Sequence, residues 1–168
     1  MSAPAVASTI AALPPSRGSA WFARPAAISP LASVALTATC FLDRPGGRIA
    51  YDDTGAGPLV IMVPGLGDIR AEYRFLVPQL VAAGYRAVTM DLRGHGESSI
   101  GWPDYSAAAL GSDIAALVDR LAAGPAIVIG TSRGAGAATW TAAVSPDRVS
   151  ALVLIGPFVR KVPPASWW

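Results

Sequence analysis

Ser132 stands at the centre of Gly130-Thr131-Ser132-Arg133-Gly134, directly after the apolar run 126–129 and before a stretch of small residues with helical character. A serine lifted onto a sharp strand-to-helix turn has its hydroxyl exposed for nucleophilic attack. Such a turn leaves no room for side chains two residues before and after the serine, which is the reason for Gly130 and Gly134. The helix behind it would bring its dipole and free N–H groups to developing negative charge. A Gly-rich turn with an incidental serine could share the pentapeptide, but the strand before and the helix after it favour a nucleophile.

Stabilising an oxyanion takes two N–H groups aimed at one point. Arg133, next after the serine, offers one. The segment Val63-Pro64-Gly65-Leu66-Gly67-Asp68 offers the other, at Leu66, because Gly65 and Gly67 let the backbone swing toward a substrate oxygen. Alone, this segment reads as an ordinary strand-to-helix turn; its place ahead of Ser132 makes it a candidate. A third segment, Asp91-Leu92-Arg93-Gly94-His95-Gly96-Glu97-Ser98, is polar and Gly-rich.

The elements that must hold these segments alternate. Residues 48–53 have strand character after the turn Pro45-Gly46-Gly47. Apolar runs at Leu59–Val63, Arg86–Met90, 126–129 and 151–155 read as strands buried on both faces. Helical spacing covers 71–83, stopped by Gly84, with Pro78 marking either a kink or the first turn of a shorter helix. Leu110, Ile114, Leu117, Val118 and Leu121 form one stripe of a helix over 106–122, and Arg133–Val144 is a third helix. Strands separated by helices imply right-handed crossovers and an α/β fold with a mostly parallel sheet. Ligands in such folds bind beyond the carboxyl ends of the strands, where the three segments lie.

Taken together, residues 41–158 resemble the N-terminal half of an α/β-hydrolase. The Pro-Gly-x-Gly loop, the Asp-x-Arg-Gly-x-Gly-x-Ser loop and the Gly-x-Ser-x-Gly turn occur in that family's order, and Pro146-Asp147-Arg148-Val149 is typical of the family's segment beyond the helix after the serine. The resemblance implies Ser132 as nucleophile and the N–H groups of Leu66 and Arg133 as the oxyanion hole. It implies that Asp91, Arg93 and His95 are structural loop residues. Many relatives carry His at the position of Pro64, a departure that leaves a hole built from backbone groups intact. Ser132 argues against the epoxide-hydrolase and dehalogenase relatives, which use an aspartate nucleophile.

In that family the acid and then the base come after the serine. After Ser132 this chain has one acid, Asp147, placed at the wrong end of the sheet, and His95 is its single histidine. The expectation is therefore a serine hydrolase acting on an ester or related small carboxylic derivative through an acyl-enzyme, without its acid and base here, and weak or inactive alone. The alternatives are a degenerate non-catalytic fragment, a cofactor-free peroxidase or perhydrolase, and a site completed by a second polypeptide. A shortened fold would leave 151–155 as an apolar edge and one sheet face without a covering helix.

Composition narrows the remaining classes. Hydrophobic residues make up 52% of the 168 and charged residues 14%, which describes a globular chain rather than a disordered one. Arg17 and Arg24 are the only charges before Asp43, so the remainder balances eleven basic against eleven acidic residues. That neutrality argues against nucleic acid as a partner and leaves a small-molecule substrate. No uninterrupted apolar run is long enough for a membrane span, and no metal or organic cofactor is expected. With Cys40 as its single cysteine, the chain fits the cytoplasm. Residues 1–39 read as a disordered or presequence-like extension, 40–160 as the partial hydrolase domain and 161–168 as an irregular tail. Oligomeric state is left open.

Overall fold

The structure, a computed structural model, describes residues 38–157. The expected extension and tail lie outside the described residues, except for Ala38 and Thr39.

Among the described residues, six strands form one sheet in the order β1-β2-β4-β3-β5-β6. Strands β1 (Cys40–Arg44) and β2 (Gly47–Thr54) make a hairpin in which Arg44 pairs with Gly47, so Pro45 and Gly46 form its two-residue loop. Gly46 has φ +96°, a conformation that suits glycine at such a turn. β2 runs antiparallel to β4 (Arg86–Met90). From there β4, β3 (Leu59–Val63), β5 (Ala126–Thr131) and β6 (Val149–Ile155) are parallel.

All five residues of β3 are buried, as its unbroken apolar sequence requires of a central strand. Alternation then sorts them into two layers. Leu59, Ile61 and Val63 join Val88, Met90 and Val128 beneath α2 (Ala107–Leu121) and α3 (Arg133–Val144), where Ile114, Leu117, Ala137 and Ala138 complete the layer. Val60 and Met62 face the other way, with Ala87, Ile129 and Tyr73, and meet Val77, Leu80 and Val81 of α1 (Val77–Ala82). Small residues on α3 let it approach α2 closely. A Cβ placed on Gly111 of α2 would come within 3.0 Å of the Ala137 carbonyl oxygen.

Several boundaries differ from expectation. The helix read over 71–83 is a 3-10 turn at Arg70–Tyr73 and then the short α1, with Pro78 in its first turn. Proline has no N–H to donate and is accommodated only where a helix begins, so Pro78 decides the start of α1. Strand β1 carries no strong sequence signal because only Leu42 of its five residues is buried. β6 begins at Val149, earlier than the apolar run, and occupies a sheet edge with Val153 and Ile155 exposed. No helix among the described residues is long and apolar enough to cross a membrane.

Candidate active site

The parallel strands deliver three loops to one end of the sheet. Val63 pairs with Gly130 and Met62 with Thr89, so β3, β4 and β5 release Pro64, Asp91 and Ser132 at neighbouring positions.

Ser132 links β5 to α3 with φ +50° and ψ −109°. A β-carbon-bearing residue is strained there, by about 1–3 kcal/mol, and holds only because its surroundings dictate it. Its N–H donates to the Ile155 carbonyl at 2.7 Å, and its carbonyl accepts from Gly136 N at 3.2 Å inside α3. The flanking glycines are set by close approach. A Cβ on Gly130 would lie 2.7 Å from Ala135 N, and one on Gly134 would lie 2.8 Å from the Val63 carbonyl carbon. The helix end is thus pressed onto β3. Arg133, the first residue of α3, has an N–H with no acceptor inside the helix. Its guanidinium donates to the Tyr105 carbonyl.

The segment after β3 lies against this turn. A Cβ on Gly65 would stand 3.5 Å from Ser132 Cβ. Gly65 N–H donates to Glu72 Oε2 at 3.3 Å, Asp68 N–H to the Gly65 carbonyl at 3.3 Å and Gly67 N–H to His95 Nε2 at 3.1 Å. Leu66 between them is exposed. Below, the Tyr73 hydroxyl donates to the Val63 carbonyl at 2.8 Å, which leaves it to accept from Thr131 Oγ1 at 2.9 Å. Burial pushes the Tyr73 phenol up to about 12.

The loop after β4 is fixed by buried charge. Asp91, fully buried, accepts from Arg70 N–H at 2.7 Å, from the Arg70 guanidinium and from Glu97 N–H at 3.0 Å. Ser98 ties the loop to β2, donating to the Asp91 carbonyl and accepting from Ala50 N–H. Arg93 makes a two-pronged bond to Asp113 of α2 at 2.6 and 2.9 Å, and its guanidinium lies over the Trp102 ring. The hydrogen bonds to Asp113 raise the Arg93 pKa further. Arg44 from β1 reaches the same carboxylate at 2.9 Å.

His95 is half-buried and engaged at both ring nitrogens. Nδ1 lies 2.9 Å from the Arg93 carbonyl, which can only accept, so Nδ1 carries the proton and Nε2 accepts from Gly67. Both ring nitrogens are therefore engaged by backbone groups. Asp147 lies in the 3-10 turn Pro146–Arg148 that precedes β6, at the amino end of the parallel strands and opposite Ser132.

The family model described as alpha/beta hydrolase fold matches residues 58–168. The chain belongs to the α/β-hydrolase family. The match takes in Gly65, residues 91–98 and the whole turn around Ser132. Among relatives, this α/β-hydrolase is 40% identical over 111 residues to a protein of Mycobacterium tuberculosis named as a putative non-heme bromoperoxidase, covering 64% of this chain and 41% of that one. It is 32% identical over 129 residues to bifunctional epoxide hydrolase 2 of Sus scrofa, covering 74% and 23%. A solved thermophilic esterase from Thermogutta terrifontis superposes with a TM-score of 0.68 at 28% identity, covering 75% and 48%. The chain thus spans less than half the length of each.

Four residues of this α/β-hydrolase site are not legible as site residues in the sequence: Arg70, Glu72, Tyr73 and Asp113. Tyr73 and Glu72 fall in what looks like a helix, and nothing in their spacing shows that a 3-10 turn aims them at the loop after β3. Asp113 interrupts the apolar stripe of α2, and a charge on a buried helix face is the available signal.

Proposed function

We propose that Ser132 is the nucleophile of an acyl-transfer site, with the N–H groups of Leu66 and Arg133 as oxyanion donors. The observation that carries this reading is the strained Ser132 backbone at φ +50° and ψ −109°, held between β5 and α3 with the Gly65 loop beside it. Strain at a turn serves to expose a hydroxyl where helix N–H groups face the attacked carbonyl. Ser132 attacks an ester or related small carboxylic derivative, the alcohol departs, and water releases the acid. Water attack and leaving-group protonation both need a general base and acid. His95 is the single histidine and its ring is engaged elsewhere, so these 168 residues bring Ser132 no imidazole. The chain alone is then a weak catalyst, acting in the cytoplasm on a small molecule with no cofactor.

The test is hydrolysis of a p-nitrophenyl ester by this polypeptide and its S132A variant, with fluorophosphonate labelling read by intact mass. Slow labelling at Ser132 is expected, with turnover about 10³-fold or more below a member that has its triad. Turnover matching a complete esterase and lost in S132A would overturn the absence of a base. A complete failure to label would favour a non-catalytic role.

A second reading rests on the 40% identity to the protein named as a putative non-heme bromoperoxidase. The same acyl-serine would then be attacked by hydrogen peroxide instead of water, giving a peracid and free Ser132. Peracid formed from ester and peroxide, absent in S132A, would support it.

A further inference from the structure

The bond between Gly67 N–H and His95 Nε2 joins the loop after β3 to the loop after β4. We propose that His95 is a positioning residue for the Leu66 N–H, and that it acts only as the neutral Nδ1–H imidazole. The proposal rests on Leu66 being an oxyanion donor.

The two loops differ in how firmly they are held. Leu66 is exposed and sits between two glycines, with Gly67 at φ +88°. The plane carrying Leu66 N–H is held within the loop by a long bond, Asp68 N–H to the Gly65 carbonyl at 3.3 Å, and glycine neighbours give it many alternatives. The loop carrying His95 is rigid by comparison. His95 N–H donates to the Leu92 carbonyl at 3.0 Å, its carbonyl accepts from Ser98 N–H at 3.0 Å, and its ring is anchored on the Arg93 carbonyl. Arg93 is itself locked on Asp113. The imidazole is a fixed post, and Gly67 hangs on it. Fixing Gly67 N–H fixes the peptide plane directly after Leu66, while Glu72 fixes the one ahead of Gly65.

Protonation reverses this. With Nδ1–H committed to Arg93, an added proton must go to Nε2, which then presents an N–H to the Gly67 N–H. A donor facing a donor cannot bond, so the loop loses its hold. The charged groups on the segments that meet here are Asp68, Arg70 and Glu72 on one side and Asp91, Arg93 and Glu97 on the other. Arg70 is paired with Asp52, Asp91 and Glu97, and its hydrogen bond holds the Glu97 carboxyl below its ordinary value. Arg93 is paired with Asp113.

The experiment is an NMR titration of the full chain, tracking the Gly67 amide and the His95 ring together. The two should share one midpoint. In H95F, which keeps the ring shape without an acceptor, Gly67 amide exchange should rise about tenfold, the scale of one lost hydrogen bond. In H95Q the amide oxygen can accept at every pH, so protection should persist and the pH dependence should vanish. Ser132 labelling by fluorophosphonate should fall about 10-fold to 100-fold in H95F, as for a displaced donor, and be largely retained in H95Q. A Gly67 amide indifferent to the His95 titration would overturn the proposal. So would H95F labelling at the unsubstituted rate. If H95F does not fold, the unsubstituted titration and H95Q decide it. A protein that never labels at Ser132 overturns the acyl-transfer reading instead, and the amide data still decide the brace.

Discussion

Gly134 lies so close to Val63 that a β-carbon on it would stand 2.8 Å from the Val63 carbonyl carbon, and closer still to its oxygen. This approach locks the first turn of α3 onto the end of β3, and so sets Ser132 beside the Gly65 loop. Backbone meets backbone here, so no side chain can swing aside. G134A should therefore destabilise the fold by about 3 kcal/mol, the upper range for an overpacked core. Urea unfolding monitored by circular dichroism would show it as a lower midpoint. An unchanged midpoint would mean that α3 can withdraw from β3 without cost.

The strain at Ser132 gives a prediction of opposite sign. Its backbone angles are ones that glycine adopts freely. Relief of about 1–3 kcal/mol is partly offset by the added freedom of glycine in the unfolded chain. S132G should be more stable by about 1 kcal/mol, while S132G and S132A both lose labelling. Thermal melts of the two variants against the unsubstituted chain check this, with S132A as the control that keeps the strain.

Tyr73 predicts a loss of stability at high pH. Its phenol is raised to about 12 in the folded protein from 10.0. The unfolded chain therefore releases this proton first. The stabilising contribution is complete below pH 10 and declines as pH rises toward 12, amounting to on the order of 2 kcal/mol. Y73F removes that dependence. It also removes the donor to the Val63 carbonyl and the acceptor for Thr131, so it should be less stable at neutral pH. Urea midpoints measured across the alkaline range should converge for the two proteins. Parallel curves would assign the alkaline loss to other groups.

The frame of this α/β-hydrolase is legible in its amino-acid order. The unbroken apolar run at Leu59–Val63, ended by Pro64-Gly65, reads as a strand buried on both faces, and the structure places it in the sheet centre. The spacing of Gly130, Ser132 and Gly134 carried the sharp turn, since its steric demand is local to five residues. Tertiary structure decided what lies opposite. That Glu72 and His95 grip the two ends of the Gly65–Gly67 stretch, and that Tyr73 ties Val63 to Thr131, depends on how a 3-10 turn and two loops meet across the sheet. Pro78 hinted that the helix was short but not which side chains its shortening would free. Hydrophobic periodicity reports which face of an element is buried; it does not report which polar groups from distant segments must satisfy one another once water is excluded.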